Sequence, residues 1–230
     1  MQLRSTREAT VNGIKVLVYG PAGVGKTTLC ATTGGNPLII SAEAGLLSLR
    51  QHDIPFIEVN DMASLTEAYS FVSQSAEAAA FDWICLDSIS EIAEVVLSSE
   101  KKLTKDPRQA YGALMEHMGD IIRKFRDLNG KNVYFSCKQE RIKDELSGAM
   151  LYGPSLPGAK LAQSIPYFFD EVFALRVEAD QEGQPHRWLQ TASDASYSCK
   201  DRSGSLEMFE HPQLASIAAK IYPTNENGGQ

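Results

Sequence analysis

The run Gly20-Pro21-Ala22-Gly23-Val24-Gly25-Lys26-Thr27-Thr28 carries the clearest chemistry in the chain. It fits G-x-x-x-x-G-K-[ST] in full and directly follows the apolar "IKVLVY". That strand-then-turn setting is the one in which the motif cradles phosphate. Glycines let backbone N–H groups turn inward around phosphate oxygens. A following helix would add the partial positive charge of its N-terminus. Lys26 is placed to reach the β- and γ-phosphates, and Thr27 to ligate Mg2+ through its hydroxyl. ATP with Mg2+ is therefore the expected ligand pair, held by Gly20 through Thr28.

Other residues bear on what the phosphate energy does. Asp87 ends the apolar "WICLD". A carboxylate there can hold the metal beside Thr27, can cap a helix starting at Ser88, or can do both. Glu43 follows a second apolar run, in "LIISAEAG". It can orient or deprotonate a water attacking the γ-phosphate, which points to hydrolysis. Glu91, shortly after Asp87, is its rival for that task. At the end of "NVYFSCKQER", Ser136, Lys138 or Gln139 can sense loss of the γ-phosphate and pass it to the segment that follows. Two cationic groups stand out. Lys101, Lys102, Lys105 and Arg108 form one; Arg141, Lys143 and Lys160, near Lys138, form the other, with Glu140, Asp144 and Glu145 interleaved. Tyr152 can stack on a base. On charge alone these segments read as solvated mixed-charge loops at least as well as nucleic-acid contacts.

The elements that must hold these residues follow from periodicity. Strands are expected at Ile14–Tyr19, up to Ser41, around Ile57, up to Asp87 and up to about Ser136. Helices are expected from about Lys26 to Thr32, from an Asp61 cap to about Ala79, after Ser88, and after Pro107. In the last of these, Leu114, Met118, Ile121, Ile122, Phe125 and Leu128 recur at helical spacing. The segment 138–157 reads as a loop or an exposed hairpin. A short helix in "GAKLAQSIPYFF" precedes a hairpin of "DEVFALRVEAD" with "HRWLQTAS", and Tyr197–Lys200 is a further candidate strand. Alternating strands and helices imply an α/β fold: a mostly parallel central sheet flanked by helices, with antiparallel C-terminal strands at one edge. The expected division is an N-terminal segment 1–13, one core 14–222, and a disordered tail 223–230.

Bulk properties exclude some functions. The net charge of −7 rules out a uniformly basic nucleic-acid coat, though not a local basic patch. Cys30, Cys85, Cys137 and Cys199 form no CxxC pair and read as reduced, packed thiols of a cytoplasmic protein. "MQLRSTREAT" lacks the apolar stretch of a secretory signal. No run approaches the roughly 20 apolar residues that span a bilayer, so no membrane partner is expected.

From Lys15 to Leu206 the chain resembles the RecA-like recombinase core ATPases. The form it resembles is the short one found among bacteriophage single-strand annealing and recombination proteins, AAA-type phage nucleotide-binding proteins. "ISAEAG", Asp87–Ser88, "NVYFSCKQER" and "LPGAKLAQSIPYFFDEVFALRV" carry the resemblance beyond the phosphate loop. It implies that Glu43 activates the water and that Gln139 or Lys138 couples the γ-phosphate to DNA binding. It places single-stranded DNA on about 140–158 and on about 101–108. It also implies that "CKDRSG" reaches a neighbour's nucleotide, so that Lys200 and Arg202 act in trans on the developing charge. Activity would then need a homo-oligomeric filament or ring.

The function so implied is a Mg-dependent ATPase, stimulated by single-stranded DNA, that anneals or exchanges strands. Its setting would be the bacterial host cytoplasm if phage-encoded, with a single-strand DNA-binding protein among its partners. The chain departs from the pattern in offering Lys-Gln where Asn-Gln is typical of the sensor. It also shows no large N-terminal assembly domain and no separate C-terminal DNA-gathering domain. Two other readings remain. One is an ATP-gated DNA-binding or partner-recruiting module with incidental hydrolysis. The other is a small-molecule kinase on the same loop, for which no acceptor-binding constellation stands out.

Overall fold

Successive residues of a strand face opposite ways, so an uninterrupted apolar run suits a strand covered on both sides. β1 (Lys15–Gly20) is such a strand, and every residue of it is buried. Leu17 and Tyr19 enter one core, and Val16 and Val18 the other. The computed structural model describes residues 13–43, 45–143, 148–179 and 182–222. The expected N-terminal segment, apart from residue 13, and the expected tail lie outside them, as do Asp144 and Glu145.

The order continues with β2 (Pro37–Ser41), β3 (Phe56–Glu58), α1 (Met62–Gln74), β4 (Trp83–Asp87), α2 (Ile89–Leu103) and α3 (Pro107–Arg126). β5 (Asn132–Lys143), β6 (Met150–Ser155), α4 (Ala159–Ser164), β7 (Glu171–Ala179) and β8 (Pro185–Gln190) follow. β9 (Lys200–Asp201), β10 (Phe209–Glu210) and α5 (Leu214–Ile221) complete it. Asp61 caps α1 in a capping box with Ser64. Asp106 caps α3, with Pro107 in its first turn.

The strands run β10-β8-β7-β1-β5-β4-β2-β3 across one sheet, with β6 paired to β5 and β9 to β7. Pairings among β7, β1, β5, β4, β2 and β3 are parallel. β8 and β10 are antiparallel at one edge. This is the expected α/β architecture. α1, α2 and α3 cover one face, contributing Leu65, Ile92, Val96, Leu114, Met118 and Phe125. α5 and the turn after β1 cover the other, through Leu214, Ile217, Leu29 and Cys30. Each such side chain, fully buried, contributes roughly 1.5–3 kcal/mol. Cys30, Cys85 and Cys137 are buried free thiols, and burial pushes Cys137 up to about 12. Among the described residues no helix is long and apolar enough to cross a membrane.

The helix expected to run to about Ala79 stops at Gln74, and three further differences bear on the site. β5 does not stop near Ser136 but runs on to Lys143, because β6 folds back on it from Lys138↔Ser155 to Lys143↔Met150. Residues 138–143 and 150–155 thus form a hairpin arm. The expected first DNA loop, 101–108, is mostly helical: Lys101 and Lys102 lie in the last turn of α2 and Arg108 in the first turn of α3. The turn after the phosphate loop, Thr27–Thr32, is a 3-10 helix. Thr28 and Thr32 donate to the carbonyls three residues back, Gly25 and Leu29, at 2.6 and 2.8 Å. Those bonds favour the tighter turn.

Candidate functional site

Gly20 ends β1 opposite Lys138 of β5. The chain then turns through Gly23 at φ 73° and Gly25 at φ 110°, conformations that a Cβ would disfavour. Tyr134 on β5 donates a 2.8 Å bond to the Lys26 carbonyl and fixes the far end of the loop. Because only a short 3-10 turn follows, little helix dipole is available. Phosphate affinity rests on the loop N–H groups and Lys26. The Lys26 Nζ donates to the carbonyls of Gly20 and Pro21, each at 2.9 Å, so it overhangs the loop. Burial pulls its amine below the ordinary lysine value, while Glu43 and Asp87 push it back up.

The carboxylates approach through β4 and β2. Thr27 Oγ1 donates to Asp87 Oδ2 at 2.7 Å. Ser136 Oγ donates to the other carboxylate oxygen, Oδ1. Asp87 is buried and joined to Ser88 by a cis peptide. The helix cap considered for Asp87 falls on Ser88, whose side chain accepts from the Glu91 N–H. The same Ser88 hydroxyl donates to Glu43 Oε1 at 2.5 Å. The turn bearing Glu43 is tied down by Ala42 N–H to Asp87 O at 3.1 Å and by Ser41 Oγ to Glu43 O at 2.6 Å.

Glu43, Asp87 and the loop share one cavity of about 800 Å3, walled also by Lys138, Gln139 and Arg187. Glu91 is not on that wall. It pairs with Lys138 Nζ, and the bond lifts the lysine's pKa. Gln139 Oε1 is buried without a hydrogen-bond partner among the described residues, so an unused acceptor stands at the cavity wall.

This set fits a magnesium nucleotide. Thr27 and Asp87 offer hard oxygens, 2.7 Å apart, on one side of a glycine-lined cradle. Thr27 and Asp87 would hold the metal, and Gly20 through Thr28 the phosphates. Magnesium, when bound there, neutralises charge on the terminal phosphates.

A protein-family model described as "AAA domain" matches residues 12–203. The chain belongs to that AAA domain family. No curated protein matches it. Among solved structures, the KaiC-like protein PH0186 from hyperthermophilic archaea Pyrococcus horikoshii OT3 is similar at 15% identity over 77% of each chain, with a TM-score of 0.43. The family and the filled motif make this AAA domain a nucleotide-binding P-loop ATPase domain.

The remaining candidate residues of the AAA domain fall in two other places. Arg141 stacks over the Tyr152 ring at 5.6 Å, and Tyr152 stacks on Tyr197 at 5.0 Å. Lys101 lies 5.7 Å from the Tyr111 ring centre. A Cβ built on Gly158 would meet that same ring at 3.5 Å, so the α2–α3 junction and the base of the hairpin arm, with Lys160, are neighbours. Lys105 lies in the short link between α2 and α3, and Lys143 ends β5. Lys200 and Arg202 are elsewhere. β9 pairs with the start of β7, whose register partner is Val16, at the end of the sheet away from the loop. Lys200 Nζ donates to the carbonyls of Pro166 and Phe169. Arg202 pairs with Asp170 at 2.5 Å. Neither lines its own chain's nucleotide cavity.

Sequence reasoning missed Ser88 as the partner of Glu43, and it missed Arg187 altogether. The "LDS" context held a clue to Ser88. Nothing local singles out Arg187, which reaches the loop only through strand register.

Proposed function

We infer that this protein hydrolyses ATP with Mg2+ and couples that hydrolysis to a grip on single-stranded DNA, as a phage-type recombination ATPase that anneals or exchanges strands. The observation that carries the reading is the continuity of β5. One strand bears Ser136, which bonds Asp87; Lys138 and Gln139, which wall the cavity; and Arg141 and Lys143, which lie on the hairpin arm. A shift at the phosphate end is therefore transmitted along a paired strand rather than through a slack loop.

In the reaction, Glu43 accepts the proton of the attacking water and Ser88 keeps the carboxylate aimed. Lys26 offsets charge on the phosphates, and Gln139 accepts a hydrogen bond from a water at the wall. The carboxylate of Glu91 is engaged by Lys138, which favours Glu43 as the base. Single-stranded DNA would lie along the hairpin and the α2–α3 junction, which meet at Tyr111. There the cations supply backbone attraction, and a base would stack on Tyr152 by taking the place of Arg141 over its ring.

The test is ATP hydrolysis with and without single-stranded DNA, across protein concentration. Stimulation that steepens with concentration supports the reading. Hydrolysis indifferent to DNA would remove the recombination role and leave a plain ATPase. DNA-binding or annealing that survives intact in Glu43→Gln would favour a gated binding module instead.

A further inference from the structure

Arg187 stands across the phosphate loop from the catalytic carboxylates. Glu43 and Asp87 approach β1 from the β5, β4 and β2 side of the sheet, whereas β8 approaches it through β7. Arg187 is in register with Val177, beyond the Ala174 that partners Tyr19, so it overhangs the end of β1. Its Nε donates a 2.9 Å bond to the Val24 carbonyl. The same Nε lies 3.5 Å from where a Cβ on Gly25 would stand, and the residue shares the nucleotide cavity with Gly25 and Thr28. The bond to Val24 uses one of the five guanidinium donors and holds the planar cation at the mouth of the loop.

We propose that Arg187 is a cis-acting phosphate ligand that binds the α/β-phosphate end of the nucleotide, common to ADP and ATP. The inference rests on the nucleotide-binding reading of the loop. In this motif the backbone cradles the α- and β-phosphates, while the lysine and the metal serve the β/γ end. Lys26, Glu43 and Asp87 crowd that second end. Arg187 reaches the loop at Val24 and Gly25, on the other flank. A guanidinium there meets charge that persists after hydrolysis, so it sets affinity for product as well as substrate. An arginine suits the role because its fork pairs with two phosphate oxygens at once.

The experiment is calorimetric binding of Mg-ADP and of a non-hydrolysable Mg-ATP analogue to the full chain, its Arg187→Ala and Arg187→Gln variants, and Lys26→Ala. Thermal melting of each protein without nucleotide accompanies it. Both Arg187 variants should weaken ADP and the analogue by the same factor, roughly 10-fold or more, with unaltered melting. Unchanged affinity in Arg187→Ala, with normal wild-type binding, overturns the assignment and leaves the loop reading standing. Loss confined to the triphosphate analogue overturns it too, by moving the contact to the γ-phosphate. Normal affinity in Arg187→Gln beside a lower melting temperature in Arg187→Ala would reduce Arg187 to a brace for Val24. If the wild type binds neither nucleotide, the loop reading itself falls, and this inference with it.

Discussion

As the proposed base, Glu43 needs its carboxylate held in place, and one hydroxyl holds it. Ser88 Oγ lies 2.5 Å from Glu43 Oε1. Glu43→Gln should cut ATP hydrolysis by about 10²–10⁴-fold, the usual worth of a general base, and leave Mg-ATP binding near wild type. Turnover within a few-fold of wild type would transfer the task to another group. The places of Glu43 and Asp87 were legible because each follows or ends an apolar run, where a short motif carries its own context. Ser136 was legible as a residue at the γ-phosphate end of its strand but not as the partner of Asp87, and Arg187 was not legible at all, because these pairings depend on register across neighbouring strands. Glu171 shows the same limit for a titrating group. It lies buried at the start of β7, opposite Asp201 of β9, and its Oε2 has no partner among the described residues. Burial first, and then the Asp201 charge, push its carboxyl up to about 8 from an ordinary 4.5. The folded chain thus keeps a proton that the unfolded chain has released. Its stabilising effect is full below about pH 4.5 and is lost as pH rises through about 8. Glu171→Gln should flatten that fall. Melting curves that decline in parallel for both proteins across the window would show that Glu171 titrates normally.

At the scale of elements, the hairpin arm is fastened to the core beside the phosphate loop. Tyr19, one residue before Gly20, donates from its hydroxyl to the carbonyls of Tyr152 and Ser198, both at 3.0 Å. Tyr152 also exchanges backbone bonds with 196 and 198, at 2.6 and 2.9 Å. Arg176 of β7 lies 4.3 Å from the Tyr197 ring centre, closing a stack with Tyr152 and Arg141. Tyr19→Phe takes one donor from the partly buried carbonyls of Tyr152 and Ser198, the first of which keeps the Ser198 N–H, at a cost of about 0.5–1.5 kcal/mol. For a chain of this length, each 1 kcal/mol lowers the melting temperature by roughly 2–4 °C. An unchanged melting temperature would mean that the arm does not depend on this anchor. The arm was only partly legible: a hairpin was among the readings, but "KQERIK" offers no apolar alternation to extend a strand. β10 and α5 escaped notice for a related reason. A two-residue strand has no period, and "LASIAAKI" is too short and too evenly apolar to show one. The long, strongly patterned elements, β1, β4, α2 and α3, were all foreseeable.

The whole molecule raises the question of what completes the nucleotide site. Arg202 sits beside Asp170, ahead of β7 and away from its own phosphate loop, and the Lys200 amine is held on the carbonyls of Pro166 and Phe169. Neither lines its own cavity, so a contact with a γ-phosphate would be with that of a second copy. Arg202 is free to make such a contact at little cost. Its pair with Asp170 is between two largely exposed side chains, 63% and 51% accessible, and such pairs contribute only about 0–1 kcal/mol. A head-to-tail assembly would present this end of one protomer to the loop of the next, as a heterologous interface requires. If Arg202 acts in trans, as proposed, Lys26→Ala destroys a protomer's own loop and keeps its finger. Arg202→Ala does the reverse and should leave ATP binding intact. Each variant alone should be inactive. Mixed in equal amounts they should regain activity, since about a quarter of randomly formed interfaces pair an intact loop with an intact finger. The regained rate should rise with total protein concentration and with single-stranded DNA long enough to hold several protomers. Full activity of Arg202→Ala at concentrations too low for association would end the trans-acting role. So would two inactive variants that stay inactive when mixed, in sedimentation conditions where they demonstrably co-assemble.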